Sequence, residues 1–355
     1  MLTTVRHPPH SGGNSMRAAP PASAAIRRLK SRDRSATTLS IEPKSSRLLR
    51  IGPSVPDGFE ERVQLMENLF EPGLVVRRRK RALAQSGHGA DFLLRRTAED
   101  LMDRLSTVER RFARAAAVKS WSPLVAAALA TSGKVDDVLR IEADAAFLAG
   151  AAGLVASGDR LPLEPGSLDL VVSLLSLQEA DDLPGQLIQM RRALRPDGLL
   201  LACLAGAGTL AELRESLLAA ETELSGGASP RVIPFADVRD VGGLLQRAGF
   251  ALPVADVEAV TVRYGDMFGL MRDLRAMGAA NPLAARQKRP TRRAIFLRAA
   301  EIYGERFADA DGRVRATFNV IWLSGWAPHE SQQKPLKPGS GKISLTEVLK
   351  PGDGS

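Results

Sequence analysis

The chain has 355 residues, 44% of them hydrophobic and 25% charged, with a formal net charge of +9. No apolar run approaches the ~20 residues needed to cross a bilayer, and these proportions fit one large globular domain or two smaller ones. A single cysteine, Cys203, excludes an intrachain disulfide framework and a cysteine-based metal cluster, and the four histidines His7, His10, His88 and His329 have no metal-site spacing.

Residues 1–65 hold eleven Lys/Arg against five Asp/Glu, a net of +6, leaving +3 for the rest of the chain. The high basicity therefore belongs mainly to the leader, and no nucleic-acid partner is expected for the folded body. The leader is rich in Ser, Pro, Ala and Arg and is expected to be disordered. It lacks the apolar core of a secretory signal. It reads as an over-extended start, with Met66 opening "MENLFEPGLVVRRRKRALAQ", as a dispensable tail, or as an Arg/Ser-rich organelle transit peptide. A helical segment is expected over 66–115, the main domain over 116–328 and a flexible tail over 329–355.

The basic run Arg77, Arg78, Arg79, Lys80 and Arg81 reads as a solvated helix face or as an electrostatic guide for an acidic partner. From Asp91 to Ala115, Leu93, Leu94, Leu101, Leu105, Val108 and Phe112 recur at helical spacing, with Asp91 as a candidate cap. The stretch "RAAAVKSWSPLVAAALATSGKV" (114–135) then gives a short apolar run, a turn and an alanine-rich helix. Strands are expected at Asp136–Ile141, Gly153–Ser157 and Ser167–Leu177, the last apolar enough for a central parallel strand covered on both faces. A helix over Leu183–Leu194 is expected to end at the turn "RPDG", and the strand "LLLACL" follows, placing Cys203 as a small buried hydrophobe. This alternation predicts an α/β, doubly wound parallel sheet whose ligands bind beyond the C-terminal strand ends.

Further helices are expected at Thr209–Gly227, over "FADVRDVGGLLQRAGF" to Gly249, over "GDMFGLMRDLRAMGAAN" and over "TRRAIFLRAAEIYGERFA". Met267, Met271 and Met277 on the third of these read as core, and Trp322 and Trp326 on the late strand "VRATFNVIWLSGWAP" read as core packing or as a substrate wall. "DVEAVTVRY" alternates as a strand, and the sequence carries no nucleophile elbow, phosphate loop or His-Glu-x-x-His motif.

Three segments, "LPLEPGSLDLVVSLLSLQEADDLPGQLIQMRRALRPDGLLL", "TLAELRESLLAAETELSGGASPRVIPFADVRDVGGLLQRAGFALPVAD" and "RVRATFNVIWLSGWAPHESQQKPLKPGS", together resemble class I S-adenosylmethionine-dependent methyltransferase-like proteins related to mitochondrial complex I assembly factor 5. More distantly the chain is similar to the malonyl-carrier-protein methyltransferase of biotin synthesis. The resemblance runs from about Met66 to Ser340 and is most specific over Gly226–Asp256. It implies a Rossmann-like sheet of seven strands with added helices, the last strand antiparallel, with Val314–Leu323 as hairpin partner. It also implies an S-adenosylmethionine cofactor and a protein substrate, among them a respiratory complex I subunit, acted on by methyl transfer or hydroxylation. The implied location is cytoplasmic for a bacterial member, or the mitochondrial matrix if the leader is a transit peptide.

Carried over by position, the family's first-strand acid and two loop glycines correspond to Ala117, Lys119 and Pro123, with Ser120, Trp121 and Ser122 filling the loop. Glu142 takes the place of the acid that accepts both ribose hydroxyls. Ser157 stands where the family often has an adenine-contacting Asp, followed by Gly158 and Asp159, and Ser173 lies on the fourth strand. Lys119 brings a cation towards a sulfonium, and Pro123 fixes φ and lacks an N–H. Arg231 and Tyr264 are the substrate-side candidates. Two readings therefore stay open: an enzyme that binds the cofactor at the strand ends, or an assembly factor whose cofactor cleft has collapsed while its substrate half is retained.

Overall fold

The first strand begins inside a stretch whose spacing reads as helix. In the computed structural model, which describes residues 68–85, 91–156 and 158–333, α1 spans Pro72–Gln85 and α2 spans Phe92–Ser106, and β1 opens at Phe112 and runs to Val118. The helix expected through Ala115 thus stops at Ser106: Leu93, Leu101 and Leu105 pack inward from it, whereas Phe112 is fully buried at the head of the strand. Asp91 stands at the N-cap of α2 without a side-chain cap bond, because its carboxylate pairs with Arg95 instead. The 1–65 leader, His88, Ser157 and the tail beyond residue 333 lie outside the described residues.

After β1 come α3 (Leu124–Thr131), β2 (Val135–Glu142), a single-turn α4 (Ala145–Leu148), β3 (Leu154–Val155), β4 (Leu168–Leu174), a 3₁₀ turn at Leu177–Glu179 and α5 (Leu183–Ala193). Then follow β5 (Leu194–Ala205), α6 (Ala211–Ser225), α7 (Val238–Arg247), β6 (Ala251–Tyr264), α8 (Met267–Ala276), α9 (Arg293–Phe307) and β7 (Val314–Trp326). The "RPDG" turn is drawn into β5. Asp197 there has φ +65°, and the β4–β5 pairing slips register between Leu168 and Leu170, so the sequence makes an irregular strand start rather than a loop. The other termini follow their local chemistry. Asp182, Asp237 and Asp266 each accept a backbone N–H at the first turn of α5, α7 and α8, and Gly226 closes α6 at φ +67°, a left-handed position that favours glycine.

The seven strands form one sheet in the order β3-β2-β1-β4-β5-β7-β6, the doubly wound α/β architecture expected. Pairings from β3 through β5 are parallel, and β7 runs antiparallel to both its neighbours. β7 inserts between β5 and β6 rather than forming a hairpin with β6, because α8 and α9 intervene in the chain. Inward-facing residues of alternate parity feed two cores. One face of the sheet packs α2, α3, α6, α8 and α9 through residues such as Leu101, Leu129, Leu217, Leu270 and Tyr303, with Trp322 and Cys203 from the strands. The other face packs α5 and α7 through Leu187, Met190, Val241 and Leu245. Burial pushes the Cys203 thiol up to about 12, consistent with an inert packed side chain. Met267 is buried, and Met271 and Met277 pack against the same core.

Strand order reverses between β1 and β4, each continuing outward to its own side of the sheet. That switch point fixes where a crevice opens at the carboxyl ends of the strands.

Candidate functional site

The loop leaving β1 is the tightest part of that crevice. Lys119 (φ +50°) and Trp121 (φ +61°) both adopt left-handed backbone, which costs a residue with a Cβ about 1–2 kcal/mol each. Pro123, by contrast, sits at the N-cap of α3 with φ −72°, an ordinary proline conformation. The expectation that Lys119 and Pro123 are the strained positions is therefore corrected at the second: the residue standing where glycine would be natural is Trp121. Ser122 accepts the Leu124 N–H at 3.2 Å and helps start α3, while Ser120 is fully buried with its hydroxyl unpartnered.

Lys119 is turned inward, and its ammonium donates to the carbonyl of Gly158 at 2.6 Å. Burial pulls its pKa below the ordinary lysine value, against a smaller opposing pull from Asp159. Between that lowered value and ~10.5 the unfolded chain binds more protons than the folded one, so Lys119 makes stability rise with pH in that window. Lys119→Met is expected to remove this slope. The check is the difference between variant and parent in urea unfolding over a pH series, which cancels the opposing contributions of buried Cys203, Tyr264 and Tyr303 at alkaline pH.

Glu142, at the end of β2, is fully buried. One carboxylate oxygen accepts from Arg140 Nη2 at 2.9 Å and the other from the Trp121 N–H at 3.0 Å. Arg140 is itself buried and also donates to the carbonyls of Phe147 (2.7 Å) and Leu148 (3.4 Å). Burial raises the Glu142 pKa, and the bonds from Arg140 and Trp121 offset part of the rise. The Trp121 indole meets Phe147 edge-to-face at 5.1 Å, covering the end of β2 with an aromatic pair.

Asp159 is a cross-link rather than a free acceptor. Its carboxylate takes the Asp182 N–H and the Gln186 side chain, fastening the loop after β3 to the start of α5. Gly158 makes the left-handed turn beside it at φ +63°. Ser173 is buried in β4 and bonds the Ser176 hydroxyl at 2.8 Å. Ser120, Trp121 and Glu142 thus come together at the crevice, with Gly158 reached only through Lys119.

Three features of the crevice bear on a nucleoside cofactor. The carboxylate placed for the ribose hydroxyls has both oxygens engaged within the protein, Trp121 and Phe147 pack against each other beside it, and Lys119 carries a cation towards the place of a sulfonium.

What the crevice retains is a cavity of about 930 Å³ on the other side of Trp121. α1 and α2, the ends of β1, β4 and β5, and the 230–296 region surround it. Its walls are mostly apolar, from Leu213, Leu217, Leu274, Phe296 and Phe318. At its floor Arg79 of α1 lies 5.2 Å from the Trp121 ring centroid, donates to the Met277 carbonyl at 2.8 Å and reaches Glu179 at 3.4 Å. Arg79 Nε, Glu179 Oε2, Ser120 Oγ and Trp121 Nε1 are all buried without a partner, a concentration of unsatisfied groups at one place. Neither Arg79 nor Glu179 was selected from sequence as a site residue. Arg79 lies in the 77–81 basic run, and nothing local marks its meeting with a residue 100 positions away.

Arg231 lines the cavity and is held by Glu221 (2.6 Å), Thr291 (2.6 Å) and Gln287 (2.9 Å). Burial works to raise the Glu221 pKa, but bonds from Arg231 and Ser229 outweigh it and hold the carboxyl below its usual value. Arg231 therefore ties α6 to the 284–293 loop at the cavity wall. Tyr264 is placed elsewhere: it is packed in the core near Tyr303 and does not line the cavity, so the structure does not bring the two substrate-side candidates together. Trp322 is buried in the core under the Arg104 guanidinium. Among the described residues there is no His/Cys/Asp/Glu cluster able to hold a metal ion, and no helix is long and apolar enough to cross a membrane.

Comparison with known proteins places these features. The methyltransferase-domain family profile matches residues 110–202, the span from β1 into β5. The chain is 46% identical over 187 residues to the mitochondrial arginine-hydroxylase NDUFAF5 of Dictyostelium discoideum, covering 52% of this chain and 43% of that protein. It is 43% identical over 197 residues to the human protein of that name, covering 56% and 57%. With the malonyl-[acyl-carrier protein] O-methyltransferase of Gallionella capsiferriformans it shares 36% over 170 residues, covering 48% and 56%. The chain thus spans about half the length of the curated relatives it matches.

Proposed function

We propose, for a chain that is a class I methyltransferase-like protein related to NDUFAF5 over about half its length, that it serves as a cofactor-free binding protein. Its methyltransferase fold is kept as a body that receives a segment of another protein in the 930 Å³ cavity. The observation that carries this reading is the state of Glu142, whose two oxygens are committed to Arg140 and to the Trp121 N–H. A ribose would have to share a fully buried carboxylate that already accepts from a guanidinium on one oxygen and a backbone donor on the other. The resemblance to the complex I assembly family supports a respiratory complex I subunit as the partner.

A second reading keeps the cofactor, with the chain modifying a protein substrate. The names of the relatives favour it, and so does one feature of the chain: Lys119 and Trp121 hold the left-handed backbone path that glycines would otherwise supply.

Titration calorimetry with S-adenosylmethionine separates the two. The parent protein is expected to give no heat at millimolar ligand, and the Lys119→Gly, Trp121→Gly double variant to give measurable binding. Micromolar binding by the parent overturns the cofactor-free reading. A folded double variant that stays silent shows that this loop is not what closes the crevice.

A further inference from the structure

The cavity mouth has a wall of one charge sign on each side. α1 carries five basic residues and no acidic one, and the stretch from Leu274 to Ala300 carries seven basic residues and no acidic one. The two stretches are joined: the Glu71 N–H donates to the Pro282 carbonyl at 2.9 Å, Phe70 pairs with Leu283, and Arg286 pairs with Glu71 at 2.8 Å. Arg78, Arg286 and Lys288 from these walls line the cavity itself.

Some of these cations are neutralised within the fold: Arg79 pairs with Glu179, Lys80 with Asp144, Arg286 with Glu71 and Arg298 with Glu223. Among the described residues, the side chains of Arg77, Arg81, Arg289, Arg292 and Arg293 make no hydrogen bond or ion pair, and Lys288 reaches Glu71 only at 3.8 Å. Positive charge that the fold does not neutralise therefore lies on the same two stretches that supply Arg78, Arg286 and Lys288 to the lining of an apolar space, which suits a ligand with an apolar anchor and negative flanks.

We propose that this mouth docks an acidic segment of a partner protein, between α1 and the 284–293 loop, with an apolar side chain of that segment entering the cavity. The proposal rests on the reading that the cavity receives another protein, and it names the chemistry of that partner. The chain's own remaining segments have the wrong sign: residues 1–67 hold eleven Lys/Arg against six Asp/Glu, and 334–355 hold four against two. Neither α1 nor residues 284–293 carry an aromatic residue on which a nucleobase could stack. The apolar face of α1, through Val75 and Ala82, is already buried in the protein and is not free to enter a lipid surface.

The test is fluorescence anisotropy with the full chain and a labelled peptide in which a Leu-Phe pair is flanked by glutamates. Binding is expected to weaken about tenfold between ~0.05 M and ~0.3 M salt. It is expected to weaken about tenfold again in the Arg289→Glu, Arg292→Glu variant, whose thermal midpoint stays that of the parent because both side chains are exposed and make no hydrogen bond or ion pair within the fold. A second reversal on the opposite wall, Arg77→Glu, is expected to act in the same direction. No peptide binding at millimolar concentration, or binding indifferent to salt and to both reversals, overturns the proposal. Tighter binding to phosphatidylglycerol vesicles or to a single-stranded oligonucleotide than to the peptide also overturns it, since the partner is then not a protein. Calorimetry with S-adenosylmethionine is read separately: cofactor binding beside intact peptide binding sinks the cofactor-free reading alone, and silence in both sinks the acidic-partner proposal alone.

Discussion

Glu142→Ala is expected to destabilise the fold by about 3–5 kcal/mol, because it leaves the Arg140 guanidinium buried without its counter-charge. For a domain of this size the thermal midpoint falls by roughly 10 °C. Arg140 keeps its bonds to the Phe147 and Leu148 carbonyls, so the loss comes from an uncompensated charge rather than from a missing contact. Replacing both partners with apolar residues, Arg140→Met with Glu142→Leu, is expected to be far milder, since it removes both desolvation costs together. Equal losses in the single and the double variant would show that the pair is not what the fold depends on there. The carboxyl has a sign of its own. Its folded pKa is raised by burial, so from ~4.5 up to that raised value the folded state binds the extra proton, and the Glu142 contribution falls as pH rises.

Trp322→Ala is expected to cost about 3–5 kcal/mol, read as a shift of the denaturant midpoint at constant slope. Trp322 is among the largest fully buried side chains, at the centre of β7, with Arg104 stacked 4.5 Å over its ring. Its indole N–H has no partner. Trp322→Phe therefore sacrifices volume but no hydrogen bond, and is expected to cost less than ~2 kcal/mol. A phenylalanine variant as damaged as the alanine variant would assign the indole a polar role that the geometry does not give it.

Much of the sheet was legible because parallel strands buried on both faces leave continuous apolar runs, as at Leu168–Leu174 and Leu199–Leu204. The start of β1 was not, although its later part read as a short apolar run before the loop, since Leu101, Leu105, Val108 and Phe112 share a helical period even though the chain turns at Ser106 and extends from Phe112. β7 was legible as a strand but not as the one between β5 and β6, because pairing partners across fifty residues leave no local trace. At the site, the oddity of the β1 loop could be read, but backbone φ could not: Lys119 and Pro123 stood out in the sequence, whereas Lys119 and Trp121 are the two in left-handed geometry. Glu142 was marked at the right strand end, while its capture by Arg140 follows from a β2 side chain turning back along its own strand. The Arg79–Glu179 meeting depends on α1 lying across the ends of β1 and β4, a tertiary placement no motif encodes.

The position of β7 has a consequence for how the molecule is made. A nascent chain that has emerged from the ribosome only as far as Phe307 holds β5 and β6 with no strand to join them, each exposing a full row of unpaired amides. Closure of that half of the sheet waits until Val314–Trp326 has emerged, and a chaperone that shields those rows has its opportunity in that interval.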